Sequence, residues 1–162
     1  IKNESKYQAL NIKDCNHKFL NLIHHNINDG VYRCGFARNQ SAYEKASKNL
    51  FAALNEVENS LHKNEGDWIF GEELTYADIY LFPTLIRWEL IYSKLFKCTE
   101  QELSNFEKII EWRLKFFKLS NVKKTCFDNE WKKEYYKTLF PLNPNQLIPV
   151  LPSLKEIMRL ES

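Results

Sequence analysis

The chain has 162 residues, of which 44% are hydrophobic and 14% aromatic, with 4 glycines and 5 prolines. This balance favours one packed domain over a disordered chain or two cramped domains. Its 23 lysines and arginines against 21 acidic residues give a net charge of +2, which argues against nucleic acid or an anionic membrane as partner. The longest apolar run, 79–86, is far shorter than the roughly 20 residues that span a bilayer.

Four cysteines are spread along the chain without a C-x-x-C pair or a Cys/His knuckle for zinc: Cys15, Cys34, Cys98 and Cys126. Free, mostly buried thiols in a reducing compartment are the simpler interpretation, so we expect a cytoplasmic protein. No signal peptide is visible, and the chain opens on Ile1, which we interpret as a piece of a longer protein.

Apolar spacing predicts two amphipathic helices in the first part of the chain. The first covers about 11–28 and ends before Gly30. The second begins at Ser41, which forms a capping box with Glu44, and keeps its apolar spacing up to Leu61.

A glycine-punctuated loop then leads to the sharpest local signal in the sequence. Thr75 and Asp78 are spaced for reciprocal capping hydrogen bonds, with Leu74 and Ile79 as a hydrophobic staple. The glycines of the loop are Gly66 and Gly71. We therefore assign Thr75 and Asp78 a folding role, not a catalytic one.

Apolar residues then appear on every face over 76–96, which predicts a helix buried in the middle of a bundle and kinked at Pro83. Thr99 with Glu102 is predicted to open a further helix that runs to about Leu119. No convincing period of two supports a strand, so the sequence predicts an all-α fold.

The last part is predicted to contain a short helix over about 127–138 and then an extended arm. Four prolines exclude a long helix there: Pro141, Pro144, Pro149 and Pro152. Ser153 with Glu156 is expected to open one final turn or two. The prediction is thus a bundle over about 11–138 with a proline-containing tail over about 139–162, together one domain.

Three segments in this order resemble one family. The string N-D-G-V-Y-R-C-G-F-A (28–37), the string L-T-Y-A-D-I-Y-L-F (74–82) and F-K-C (96–98) resemble glutathione transferases. The L-T-x-A-D-I box is typical of the whole transferase fold, whereas the first string resembles the Xi class, the glutathionyl-hydroquinone reductases. The tail 142–150 is also similar to that class, and the order and spacing agree over roughly 12–152.

The resemblance implies that the chain is the C-terminal helical domain of a two-domain enzyme. In this class an N-terminal thioredoxin-like domain, absent here, holds glutathione and a catalytic cysteine, and the helical domain walls the hydrophobic pocket. The implied reaction removes glutathione from glutathionyl-hydroquinones, so the isolated domain should be inactive. A homodimer formed through the helical domain is also implied.

The resemblance also implies pocket residues. Tyr32 and Tyr135 are expected to donate hydrogen bonds to a quinol oxygen as catalytic and substrate-binding groups. Independently of the resemblance, the positive charges of Arg33 and Arg87 make them candidates for contact with substrate. Arg38 is a further cation that could meet a glutathione carboxylate, although solvated surface positions are a common fate for all three arginines. The sequence departs from the family at several positions: Pro83, Leu95, Asn129 and Glu134, the last of which replaces a histidine beside Tyr135.

Other reactive residue types have simpler explanations. Cys34 has no base placed beside it by the sequence, so a structural role is expected. His24 and His25 are adjacent and would point about 100° apart on an α-helix, so they are not expected to bind one metal ion together. No metal site is therefore predicted.

Two other functions stay open at this point. Transferase-like helical domains also serve as non-catalytic scaffolds in translation complexes, and fold alone does not distinguish that role from catalysis. A transferase that conjugates glutathione to electrophiles would carry an upstream serine or tyrosine in place of the catalytic cysteine.

Overall fold

The computed structural model of the protein describes residues 13–14 and 16–159, and the regular elements there are helices, with no strand beyond isolated bridges. The described α-helices are α1 (His17–Leu22), α2 (Asp29–Gly35), α3 (Gln40–Lys63), α4 (Tyr76–Leu85), α5 (Glu107–Phe117), α6 (Asp128–Thr138) and α7 (Leu154–Ile157). Two π-helical segments, Ile23–Asn28 and Trp88–Tyr92, and two 3₁₀ turns, Leu103–Asn105 and Val122–Thr125, lie between them. The predicted all-α fold is confirmed.

One apolar core joins the long helices. Its largest fully buried side chains include Trp88, Trp112 and Phe51, which come from the second π segment, α5 and α3. The core also buries Asp78 and Arg113, each with hydrogen-bonded partners. None of the described helices is both long and apolar enough to cross a membrane.

The first helical run was predicted to end before Gly30, but in the structure it continues to Gly35. Gly30 is buried against α3, where an added Cβ would lie 3.5 Å from Leu50 Cδ1. Gly30 therefore lies inside the helical run and does not terminate it. Of the residues that suggested this helix, Ile12 and Cys15 lie outside the described residues.

The cap of α3 lies two residues before the predicted one. Asn39, not Ser41, caps the helix: its backbone is extended and its side chain accepts a hydrogen bond of 2.9 Å from the Ala42 N–H. Both residue types are good caps, so the local sequence offered two solutions. The helix then runs to Lys63, and Gly66 and Gly71 take positive φ in the loop that follows.

The box of Thr75 and Asp78 opens α4 in the structure. The helix then ends at Leu85, two residues after Pro83, and the chain continues through a turn into the second π segment. Proline supplies no N–H to the helix ladder and crowds the preceding turn. The stretch predicted as one kinked helix over 76–96 is therefore two shorter pieces.

The predicted capping of α5 by Thr99 and Glu102 is wrong. The helix begins at Glu107, and the Thr99 hydroxyl donates instead to the Lys97 carbonyl at 3.4 Å. The N–H groups in the first turn of α5, at Lys108 and Ile109, donate to the carboxylate of Glu58 on α3, at 2.9 and 2.8 Å. A cap supplied by another helix leaves no local signal in the sequence.

Replacing Glu58 by alanine should lower the free energy of unfolding by about 1–2 kcal/mol, since two α5 N–H groups lose their acceptor. The matched control is Glu56→Ala on the exposed face of the same helix, for which we expect a change within about 0.5 kcal/mol. Urea unfolding followed by circular dichroism measures both. Equal losses in the two variants would contradict the capping role.

The last helices match the predictions. The sixth begins at Asp128, and Ser153 with Glu156 forms the capping box of α7. Residues 140–153 contain turns but no helix or strand. Their course as an extended arm, like the single-domain boundaries, stays a prediction.

Candidate functional site

Three tyrosine hydroxyls meet at one point of the bundle. Tyr32 comes from α2, Tyr92 from the second π segment and Tyr135 from α6. The Tyr32 and Tyr135 oxygens are 2.7 Å apart, those of Tyr92 and Tyr135 3.1 Å, and those of Tyr32 and Tyr92 3.4 Å. The structure thus brings together the two tyrosines singled out in the sequence and adds a third.

Phe96 is the platform on which the three rings rest. Its side chain is fully buried, and its ring centroid lies 5.2 Å from that of Tyr32, 5.4 Å from that of Tyr92 and 5.9 Å from that of Tyr135. All three contacts are edge-to-face, which is a favourable geometry for aromatic pairs. The hydroxyls are therefore held by ring packing as well as by hydrogen bonds.

The cluster opens to solvent on one side only. Tyr32 is 38% exposed, whereas Tyr92 is 2% exposed. A cavity of about 460 Å³, the tyrosine cleft, is lined by His24, Asp29, Tyr32, Tyr80, Arg87 and Tyr92, among others. This volume falls within the range of small-molecule pockets.

Burial keeps the hydroxyls in their neutral form. Burial raises the pKa of Tyr32, and its hydrogen bond with Tyr135 acts in the same direction. The pKa of Tyr92 is raised still further, first by burial and then by the hydrogen bonds with its two partners. At neutral pH both groups are therefore proton donors, not bases, because ionisation lies above the usual value of about 10.

Each hydroxyl has one proton to donate and can accept two, so three hydroxyls at these distances can satisfy one another in a cycle. An oxygen anion that enters beside them would give at least one of the protons a better acceptor. The arrangement therefore suits a ligand whose oxygen gains negative charge.

The predicted arginines lie on different sides of Tyr32. Arg87 lines the tyrosine cleft, donates to the Pro83 carbonyl at 3.0 Å and places its guanidinium 4.8 Å from the Trp131 ring centroid. Arg33 lies outside that cleft, beside Asp29, with 3.6 Å between Nη2 and Oδ2.

Beside the cleft, along α2 and α3, lies a larger groove of about 820 Å³. It is lined by Arg33, Phe36, Ala37, Arg38, Ala42 and Ala46, among others. Arg38 is therefore placed beside this groove and is not among the residues lining the tyrosine cleft.

Cys34 lies two residues after Tyr32 but faces the core. Its side chain is 2% exposed and next to Cys98, which is fully buried. A hydrogen bond with Cys98 lowers the pKa of Cys34, and the same bond together with burial raises the pKa of Cys98. Burial favours the structural role expected for Cys34. Cys126 is partly buried, and Cys15 lies outside the described residues.

Sequence reasoning missed Tyr92 because it stands in a stretch that is apolar on every face. Nothing in the composition of that stretch separates it from other core aromatics. Its spacing of four residues from Phe96 was the available signal, since side chains four apart meet on one face of a helix. Of the positions that depart from the family, Glu134 is exposed and Leu95 is buried.

The first helical run also corrects the expectation for its histidines. His24 and His25 do not diverge as on a regular α-helix: their ligand nitrogens and an Asp29 carboxylate oxygen all lie within 4.8 Å of one another. The π-helical segment Ile23–Asn28 contributes to this convergence, because its wider turn brings Asp29 onto the face of His24, five residues back.

Comparison with known proteins confirms the family resemblance. Residues 40–116 match the model of the glutathione S-transferase C-terminal domain. Residues 40–116 therefore form a glutathione S-transferase C-terminal domain. Among characterised proteins it is similar to glutathionyl-hydroquinone reductase PcpF of Sphingobium chlorophenolicum, with 37% identity over 131 residues, and to the YqjG reductase of Escherichia coli, with 28% over 130. These alignments cover 81% and 80% of the chain but 41% and 39% of the two relatives.

Solved structures of this transferase family agree. Xi 1 from Trametes versicolor superposes with a TM-score of 0.78 at 34% identity, over 83% of the chain and 46% of that protein. Glutathione-bound YqjG gives a TM-score of 0.80 at 27% identity, over 85% of the chain and 44% of that protein. The chain thus spans less than half the length of the transferases it matches.

Proposed function

We propose that this chain forms the hydrophobic-substrate wall of a glutathione-dependent thiol oxidoreductase that acts on glutathionyl-hydroquinones. The observation that carries the proposal is the group of three tyrosine hydroxyls within 3.4 Å of one another, two of whose members, Tyr32 and Tyr92, line an open cleft. Two of the relatives are glutathionyl-hydroquinone reductases, which supports the same substrate class.

The remaining parts of the active site would come from a second, thioredoxin-like domain of the same protein. That domain would bind most of the glutathione and carry the catalytic cysteine, whereas this chain would supply the cleft. The alignment over about 40% of each relative supports this division. The helical domain by itself should therefore not turn over.

The reaction suits what the cleft offers. A cysteine thiolate attacks the sulfur of the glutathionyl group, so that a sulfur–sulfur bond forms, the carbon–sulfur bond breaks and the electron pair moves into the ring and its oxygens. The ring carbon then takes a proton, and the hydroquinone leaves. A second glutathione attacks the mixed disulfide, so that the cysteine thiolate is released and glutathione disulfide departs. Transient charge on a ring oxygen can be stabilised by hydrogen bonds from the hydroxyls of Tyr32 and Tyr135.

Tyr92 and Arg87 complete this arrangement in different ways. Tyr92 lines the cleft but is only 2% exposed, so its main role would be to hold the Tyr135 hydroxyl, 3.1 Å away, in place. Arg87 lines the cleft, and its positive charge opposes the rise in the pKa of Tyr32. Its guanidinium could also form an ion pair with a carboxylate of the glutathionyl group.

The full-length protein and its Tyr32→Phe form should be assayed on a glutathionyl-hydroquinone with glutathione. Removing this donor is expected to lower kcat by about 100-fold, because the developing charge loses a preorganised hydrogen bond. Tyr135→Phe should cause a loss of the same order.

The matched control is Tyr43→Phe, which removes a hydroxyl that donates to the Lys97 carbonyl at 2.7 Å, away from the cleft. Its kcat should be unchanged. An unchanged rate in Tyr32→Phe would remove Tyr32 from the mechanism. A folded full-length protein without reductase activity would favour the scaffold role, and activity on a model aryl halide would favour a conjugating transferase.

Two further features stay predictions from the family. A homodimer formed through the helical domain can be tested by sedimentation of the full-length protein. A cytoplasmic location is supported by the cysteines of the described residues, which are free thiols.

A further inference from the structure

A histidine pair and a carboxylate converge at the mouth of the tyrosine cleft. Asp29 Oδ2 lies 3.9 Å from His24 Nε2 and 3.9 Å from His25 Nδ1, and the two imidazole ring centroids are 5.1 Å apart. All three side chains are about half exposed. Three ligand atoms from three residues can therefore reach one point without any movement of the backbone.

The backbone explains why they converge. The Asp29 N–H donates to the His24 carbonyl, five residues back, as in a π-helix, and not to the carbonyl four residues back. In this wider turn Asp29 stacks beneath His24 and stays beside His25. Short π segments of this kind occur frequently at functional sites.

We propose that His24, His25 and Asp29 form a binding site for a divalent transition-metal ion of the zinc class. Two imidazoles and one carboxylate are ligands that Zn²⁺, Ni²⁺ and Co²⁺ accept, with further coordination positions left for water or substrate. Bonds of about 2.0–2.1 Å from zinc to nitrogen and oxygen place tetrahedral ligand atoms about 3.4 Å apart. Rotations of the exposed side chains would close the present gaps, which are 3.9 Å from Asp29 to each histidine and no more than 4.8 Å between the two histidine nitrogens.

The neighbouring charges set how tightly an ion is held. Arg33 places Nη2 3.6 Å from Asp29 Oδ2 and donates from Nη1 to the His25 carbonyl. Its guanidinium competes with a cation for the carboxylate, so binding should be reversible and weaker than at a buried structural zinc site. The carbonyl contact anchors the guanidinium to the backbone, so that it can stay bound there while one carboxylate oxygen turns to the metal.

The position of the site links it to the cleft. His24 and Asp29 line the same cavity as Tyr32 and Arg87. A bound ion would add positive charge at the mouth of the cleft, where it attracts an anionic group of an incoming ligand. This inference does not depend on the reductase activity proposed above.

The test is titration of the tag-free protein with Co²⁺ at pH 7.5, followed by its visible absorption, with Zn²⁺ added in competition and measured by calorimetry. One ion per chain should bind. His24→Ala, His25→Ala and Asp29→Asn should each weaken Co²⁺ binding by at least about tenfold, since loss of even an outer-sphere partner costs that much.

The matched control is His62→Ala. His62 is also an exposed histidine beside a carboxylate, with 3.3 Å between its Nε2 and Glu58 Oε1, but it does not belong to a three-ligand group in the described residues. Its removal should leave Co²⁺ affinity unchanged. Equal affinities in all four variants, no binding at all, or thiolate-to-cobalt charge-transfer bands that assign the ion to a cysteine would each overturn the proposal.

Discussion

Replacing Asp78 by alanine is expected to lower the free energy of unfolding by about 3–4 kcal/mol. The carboxylate is fully buried and accepts four hydrogen bonds: from Thr75 N and Oγ1 at 2.9 and 2.7 Å, from Ile69 N at 3.0 Å and from Trp112 Nε1 at 2.8 Å. Alanine leaves at least three of these donors buried without an acceptor. The residue thus joins the loop before α4, the start of α4 and the middle of α5.

Thermal unfolding followed by circular dichroism should show a midpoint lower by roughly 10 °C for this variant. Thr75→Ala removes only the hydroxyl that caps the start of α4, and it should lower the free energy of unfolding by about 1 kcal/mol. Asp67→Ala is the matched control, since Asp67 is an exposed aspartate whose ion pair with Lys115 contributes little. If Asp78→Ala lowered the stability no more than Thr75→Ala does, the hydrogen bonds from Ile69 and Trp112 to Asp78 would contribute nothing to stability.

Gly35→Ala is expected to destabilise the protein by about 2–3 kcal/mol and to disturb the tyrosine cluster. A Cβ at this position would lie 2.2 Å from Phe96 Cδ1 and 2.8 Å from its Cγ. The ring must therefore move, although it is fully buried beneath Tyr32, Tyr92 and Tyr135. Displacing the platform should displace the hydroxyls.

Near-ultraviolet circular dichroism reports the tyrosine packing, and urea unfolding reports the stability. The matched control is Gly30→Ala in the same helix, where the new Cβ would meet Leu50 at 3.5 Å, an ordinary contact. Alanine is the better helix former by up to about 1 kcal/mol, so this variant should be neutral or more stable. A Gly35 variant that behaved like the Gly30 variant would show that Phe96 can move without consequence.

Local signals in the sequence were reliable where one segment contains both partners. The boxes of Thr75 with Asp78 and of Ser153 with Glu156 form as their spacing predicts. Each cap links residues three apart, so the chain needs no tertiary contact to define it. The same reasoning failed at Thr99, because its helix does not begin there.

Partners from distant segments could not be predicted. Glu58 caps a helix 50 residues further along, and nothing near Glu107 indicates it. Tyr92 joins Tyr32 across 60 residues and Tyr135 across 43. The family resemblance supplied Tyr32 and Tyr135, whereas Tyr92 emerged only from the packing around Phe96.

The sequence by itself determined that the chain is helical, where most helices lie, and which family it resembles. These features depend on apolar periodicity and on short motifs, which act within one or two turns of a helix. Tertiary structure decided that the first helical run continues through Gly30, that its π turn brings Asp29 beside His24 and His25, and that three tyrosine hydroxyls meet at one point. Such arrangements depend on how buried side chains fill space between helices, and that is a property of the whole packed core and not of any segment.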